Sequence, residues 1–305
     1  MKQIEYTIVV PVYRSVESLE PLFHGISSVM QNLSLSFEVI FVEDSGEENS
    51  WRELLRIKEI GKELITIIRL SKNFGQNGAT LCGIDEAKGK RVITIDDDLQ
   101  TNPIEIKRLI EFQKKSHADV VYGKFKESKT SWFRKVGSAF IKRIFNKSQG
   151  NGSSIGSSFR LIDEHIVKRL RFHSQDHLFI NQVITWYTLN FQFVEVERDM
   201  REAGKSGYSN RKLIALSLRL IIYYTSLPLK LMILLSALAS IGILIMTGYY
   251  IYFKTNVGED LDLFMLAVLV SMGIISGSIG VFGVYINRIY SSRVGKPNYA
   301  IKVKM

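Results

Sequence analysis

The stretch LSKNFGQNGATLCGIDEAKGKRVITIDDDLQTNP, residues 70–103, reads as the end of a strand, a helix over Gly78–Ala87, a strand over Val92–Ile95 and the approach to another helix. Asn102, Pro103 and Glu105 supply a cap, a first-turn proline and a third-position acid for a helix over Ile104–Phe112. The same alternation extends in both directions. Upstream lie strand-like runs at Tyr6–Val12, Phe37–Val42 and Ile65–Leu70. Between them, Ser15 precedes a helix with apolar positions Val16, Leu19, Leu22, Phe23, Ile26 and Met30, and Ser50 with Glu53 reads as a capping box for a helix from Trp51. Downstream, Val120–Tyr122 is a fifth short strand, and the glycine- and serine-rich Ser148–Ser158 reads as a loop. Strands alternating with helices at this spacing predict an α/β fold, a mostly parallel sheet with helices on both faces.

In an open parallel sheet, ligands bind beyond the carboxyl ends of the strands. The residues there are Pro11, Val12 and Tyr13 after the first strand, Glu43 and Asp44 after the second, Ser71 after the third, and Asp96, Asp97 and Asp98 after the fourth. Asp96 and Asp98, two apart at a strand end, point to one side and can share a hard cation, with Gln100 as a further oxygen donor. Taken alone, three aspartates fit a polar strand-to-helix turn equally well. No G-x-x-x-x-G-K-[ST] loop is present, and Gly75, Gly78 and Gly83 lack the dinucleotide spacing.

Composition separates a soluble-looking part from an apolar one. The chain has 305 residues, 40 Lys+Arg against 30 Asp+Glu, a net charge of +10 and one cysteine, which excludes a disulfide scaffold or a structural zinc site. From Leu231 to Phe253 and from Leu263 to Asn287 no residue is charged, and each run exceeds the ~20 residues that span a bilayer as a helix. The loop between them holds Glu259, Asp260 and Asp262 against one lysine, while Lys230, Arg288, Arg293, Lys296, Lys302 and Lys304 flank the outside. Basic flanks stay inside. The expectation is a two-helix transmembrane hairpin in the inner (cytoplasmic) membrane, with the remaining domain and both termini cytoplasmic. Residues 132–147 (WFRKVGSAFIKRIFNK) and 211–226 are amphipathic and basic, suited to docking on anionic membrane lipid. The domains expected are 1–210 for the α/β part, 211–229 for a juxtamembrane amphipathic helix, 230–290 for the two spans and 291–305 for a basic cytoplasmic tail.

Five segments together resemble a family 2 glycosyltransferase of the GT-A fold, and more narrowly the polyprenyl-phosphate glycosyltransferases. VVPVYRS (residues 9–15) resembles the family's opening strand and FVEDSGEEN (41–49) its acid-rich turn. Residues 70–103 carry the D-x-D-L-Q signature on Asp96, Asp98, Leu99 and Gln100. SSFRLID (157–163) and REAGKSGYS (201–209) resemble the two later segments. Arg14, the order Glu43-Asp44-Ser45-Gly46, and Lys124 in place of an arginine depart from the family's usual residues.

The resemblance implies an enzyme that transfers one sugar, with inversion, from a nucleotide-diphosphate sugar to polyprenyl phosphate. A UDP-sugar donor and undecaprenyl phosphate acceptor are expected, with Mg²⁺ or Mn²⁺ held by Asp96, Asp98 and Gln100. The nucleotide sugar would lie against Pro11, Val12, Tyr13, Glu43, Asp44, Ser71, Asp96 and Asp97. Lys124, Arg134, Arg201 and Ser206 would bind phosphate, and Asp98, Asp163 and Arg201 would act in catalysis. Asp163 is the acid available as a base or acceptor-orienting group, and equally an acid at a helix start. A phosphate monoester with a second pKa near ~6 is already a nucleophile at neutral pH, so no base is obligatory. A homo-oligomer is compatible with Gly273, Gly277, Gly280 and Gly283 on the second span. No nucleic-acid partner is expected. The alternatives are a membrane glycosyltransferase with another lipid or polysaccharide acceptor, and a non-catalytic membrane scaffold.

Overall fold

The computed structural model describes residues 3–125, 156–171, 180–197, 227–256, 262–294 and 297–305. Arg134, Arg201, Ser206 and nearly all of the two basic amphipathic stretches lie outside them. The described residues fall into two units, an α/β unit that includes residues 297–305, and the helices of residues 227–294.

The α/β unit is built on an eight-stranded mixed sheet in the order β7-β5-β6-β4-β1-β2-β3-β8. The strands are β1 (Tyr6–Val12), β2 (Phe37–Glu43), β3 (Ile65–Leu70), β4 (Arg91–Thr94), β5 (Val120–Phe125), β6 (Arg160–Ile162), β7 (Phe191–Val196) and β8 (Ile301–Lys304). Strands β1 to β4 are mutually parallel, β6 is antiparallel to both β4 and β5, and β8 is antiparallel to β3. All seven residues of β1 are buried, as a strand covered on both faces requires.

The covering helices are α1 (Leu19–Asn32), α2 (Glu48–Gly61), α3 (Gly75–Glu86), α4 (Glu105–Ser116), α5 (Glu164–Arg171) and α6 (Ile180–Tyr187). Side chains alternate across a strand, so β1 sends Tyr6, Ile8, Val10 and Val12 into a core with α1, α2 and α4. Val9 points the other way, into a core with α3, α5 and α6.

Two helix starts differ from the sequence reading. Helix α1 begins at Leu19, and Ser15 is not its cap, because the Ser15 side chain bonds Asp97 instead. Helix α2 begins at Glu48, so Ser50 lies inside it, buried and with no hydrogen-bond partner for its hydroxyl among the described residues, while Glu53 pairs with Arg56. The Asn102 side chain does accept a backbone N–H at the start of α4, from Ile104 at 3.1 Å.

In the second unit, α7 (Leu227–Asn256) and α8 (Asp262–Val294) are long and apolar enough to cross a membrane over Pro228–Tyr252 and Val270–Asn287. Ser236 and Ser278 bring their hydroxyls within 3.4 Å between them. A Cβ on Gly273, Gly277, Gly280 or Gly283 would meet nothing within 4 Å. Within the segment read as a basic tail, residues 291–305, α8 runs to Val294 and β8 pairs with β3 at the edge of the sheet.

Candidate active site

The strand order reverses between β1 and β4, which opens a crevice beyond their carboxyl ends. The Tyr13 backbone N–H crosses it to Asp97 Oδ2 at 3.0 Å. Of the three residues expected after β1, Pro11 and Val12 are buried within the strand, and only Tyr13 emerges, 46% exposed. The Arg14 guanidinium sits over the Tyr13 ring at 5.1 Å. The turn after β2 packs against this pair. A Cβ at Gly46 would come within 3.0 Å of the Arg14 backbone nitrogen and 3.2 Å of the Tyr13 ring.

Glu43 and Asp44 are both turned inward. Glu43 is fully buried; Oε1 accepts the Gly46 N–H at 2.6 Å and Oε2 lies 3.0 Å from Arg69 Nε. It shapes the turn from beneath and has no exposed atom to offer a nucleotide, contrary to the sequence expectation. Asp44 is 3% exposed and accepts the N–H groups of Phe74 at 2.7 Å and Gly75 at 2.8 Å. It therefore satisfies orphan donors at the start of α3. Burial pushes its pKa up, against those two bonds.

The aspartates after β4 differ from one another. Asp96 is half-buried, with Oδ1 accepting Gln76 Nε2 and Oδ2 accepting Ser158 Oγ, each at 2.6 Å. Burial raises its pKa, and the charge of Asp98 adds to that. Burial likewise raises Asp97, which faces back toward β1. Asp98 is exposed; it accepts the Gln100 N–H at 3.1 Å and the Gln100 side-chain amide at 2.5 Å, across a turn in which Leu99 has φ +55°. Gln100 thus acts on Asp98.

Among the described residues no three His, Cys, Asp or Glu side chains gather as a ready-made cage. The donors present, Asp96 and Asp98, are hard oxygens whose mutual repulsion a divalent cation would relieve. That fits Mg²⁺ or Mn²⁺, which take one or two carboxylates and complete the shell with water and substrate phosphate.

Lys124 is exposed near the carboxyl end of β5, which runs in the same direction as β4, so it lies on this edge. Ser71 is also here, exposed, with its N–H bonded to Ala300 O at 2.8 Å.

Asp163 is elsewhere. It follows β6, which is antiparallel to β4, and so falls at the amino end of β4. There Oδ2 pairs with Arg91 Nε at 3.0 Å and Oδ1 lies 3.2 Å from His165 Nδ1, while its carbonyl accepts the first N–H groups of α5. Burial works to raise its pKa, but the bonds from His165 and Arg91 prevail and hold it below the usual carboxylate range. This is the helix-start position that the sequence offered, away from the aspartates that follow β4.

Three residues at the site went unassigned from sequence. Gln76 and Ser158 hold Asp96. Arg160, 4% exposed on β6, reaches Asn181 with Nη1, has no partner for Nε among the described residues, and acts electrostatically on Asp96. All three stand within quoted segments, Gln76 in residues 70–103 and Ser158 and Arg160 in SSFRLID, but nothing in their spacing says that they gather about Asp96.

The chain matches the sequence model of Glycosyl transferase family 2 over residues 7–171. Among solved structures it resembles mannosyl-3-phosphoglycerate synthase from Rubrobacter xylanophilus, with TM-score 0.53 and 13% identity over 72% of each chain. Glucosyl-3-phosphoglycerate synthase from Mycobacterium tuberculosis, in complex with Mn²⁺, UDP and phosphoglyceric acid, gives TM-score 0.52 and 14% identity, over 72% of this chain and 76% of that one. TarS 1-349 from S. aureus, in complex with UDP-GlcNAc, gives TM-score 0.42 and 16% identity over 72% of this chain, which spans 66% of that 1-349 chain.

Proposed function

The chain belongs to glycosyl transferase family 2, and from that premise we propose that it moves a single sugar from a nucleotide-diphosphate donor, a UDP-sugar first, to polyprenyl phosphate at a membrane face. The observation that carries this reading is the joining, in one chain, of an aspartate-lined strand edge with two apolar helices able to cross a bilayer. The M. tuberculosis synthase, solved with Mn²⁺ and UDP, supports the choice of donor class and metal.

Asp96 and Asp98 would hold Mg²⁺ or Mn²⁺, which when bound neutralises charge on the departing diphosphate. Gln76 and Ser158 fix the Asp96 carboxylate, and Gln100 fixes that of Asp98, so both are oriented before substrate arrives. Tyr13 offers an exposed ring at the mouth of the crevice. Lys124 is placed to attract the acceptor phosphate, a role shared in this proposal with Arg134, Arg201 and Ser206. The acceptor needs no base, since its phosphate is already mostly dianionic at neutral pH. Inversion follows from direct attack.

We read residues 1–210 as the catalytic part and 211–229 as its juxtamembrane lead-in, resting on anionic lipid. The chain leaves the sheet before α7 and rejoins it after α8, as expected if a hairpin crosses twice and both flanks stay on the basic, cytoplasmic side. A homo-oligomer remains part of this proposal.

The test is to incubate the purified full chain with undecaprenyl phosphate, Mg²⁺ or Mn²⁺, and a panel of UDP- and GDP-sugars. A glycosylated lipid that forms with one donor and is lost in Asp98→Ala supports the reading. Lipid binding without turnover for any donor would instead favour a scaffold.

A further inference from the structure

We infer that the segment following the second apolar helix is part of the donor-site machinery, with Tyr299 as a positioning residue that sets α3 and, through α3, the carboxylates of Asp44 and Asp96. This rests on the reading above, in which that edge receives the nucleotide sugar.

Helix α3 bears on both carboxylates. Its first N–H groups are held by Asp44, and its Gln76 side chain holds Asp96. Residues 298–304 meet α3 at both ends of its length, near Gly78 and at Asp85 and Glu86. The Tyr299 hydroxyl donates to Asp85 Oδ2 at 2.7 Å, at the penultimate residue of the helix, and Lys304 pairs with Glu86, its last. The carbonyl of Asn298 lies over Gly78, where a Cβ would stand 2.7 Å from its oxygen. Only glycine admits that approach. Beyond it, Ala300 O accepts the Ser71 N–H, and Met305 exchanges backbone bonds with Ile67 at 3.0 and 2.9 Å, fixing the segment along β3.

Asp85 depends on this contact. Its Oδ1 is buried without a partner, so the Tyr299 hydroxyl makes the one hydrogen bond that its side chain has among the described residues. Burial raises the Asp85 pKa, and burial together with the Asp85 bond raises that of the Tyr299 phenol, which therefore stays a donor. Residues 295–300 join α8 to this strand, so the covalent path from the apolar helix to the donor edge is short.

The experiment uses the full-length protein in lipid nanodiscs and compares it with Tyr299→Phe, with a chain ending at residue 296, and with Lys302→Gln as a surface control. UDP binding is followed by calorimetry in Mn²⁺, donor KM and kcat by turnover, and unfolding by scanning fluorimetry. Tyr299→Phe is expected to weaken UDP binding and raise donor KM about fivefold, the equivalent of one hydrogen bond, with kcat changed less. The shortened chain is expected to lose at least tenfold and to regain affinity when a synthetic PNYAIKVKM peptide (residues 297–305) is added, and to stop about fivefold short of that when the peptide carries phenylalanine for tyrosine. Unchanged UDP affinity in Tyr299→Phe, or a fall in kcat and melting temperature alone, would overturn the inference. If the unaltered protein binds no nucleotide, the donor-site reading itself fails, a separate result.

Discussion

Asp163 meets Arg91 across 3.0 Å at the amino end of β4, whereas Asp96 follows the carboxyl end of the same strand. Arg91 and Asp96 are five steps apart along the chain, which at ~3.3 Å per residue puts the two acids roughly 16 Å apart along the sheet. Asp163→Asn should therefore leave turnover within a few-fold of the parent, while Asp98→Asn abolishes it. The depressed pKa of Asp163 gives a second signature. Its stabilising contribution is present above the ordinary aspartate value of about 3.9 and is lost as pH falls through the lowered one, so the variant should show a shallower acid limb in urea unfolding. A thousandfold loss of turnover in Asp163→Asn would restore it to the active site.

The raised pKa of Asp96 has the opposite sign. Ionised Asp96 is tolerated poorly in the apo protein, so its contribution is most favourable below about pH 3.9 and declines as pH rises through the raised value. A divalent cation should compensate where both carboxylates are charged. Mn²⁺ is expected to raise the melting temperature at pH 7.5 and to have little effect near pH 4, with no response at either pH in Asp98→Asn. A shift that ignores pH would place the ion elsewhere.

Gln76 and Ser158 hold the Asp96 carboxylate, and residues that orient a metal ligand in this way typically change metal affinity by about 10–100-fold. Gln76→Ala and Ser158→Ala should each weaken Mn²⁺ binding by about tenfold, measured by titration calorimetry. Wild-type affinity in both would remove their assigned role.

Arg69 is the only cation paired with the buried Glu43 among the described residues, and its guanidinium also lies over the Trp51 ring at 5.6 Å. Arg69→Met leaves a buried carboxylate without its counter-charge and should destabilise the protein by about 3 kcal/mol. Adding Glu43→Gln should recover part of that loss in chemical denaturation. Additive losses in the double variant would mean that the pair is not coupled.

The first half of the chain was legible because its apolar runs repeat with periods that match its elements: β1, β2 and β3 keep their read starts, and α3 and β4 shift by a few residues or fewer. The carboxylate edge followed from the parallel direction of those strands. Asp163 was named from the SSFRLID segment, and the sequence shows neither the three-residue β6 before it nor the antiparallel direction that carries it to the other end of the sheet. Ser15 has the right residue type for a cap, yet Asp97, far off in sequence, takes its hydroxyl. Strand β8 is four residues long and pairs with β3 across most of the chain, a relation that no local pattern encodes.

That last pairing orders events during synthesis. The ribosome makes α7 and α8 before it makes β8, so the outer edge of β3 stays open while both apolar helices emerge. Closing a loop of more than two hundred residues adds only a slowly growing entropic penalty, but it must wait for the far end to exist. The sheet is thus completed only after both apolar helices have been made. A chain halted before residue 301 would present β3 as an unpaired edge, open to pairing with other nascent chains.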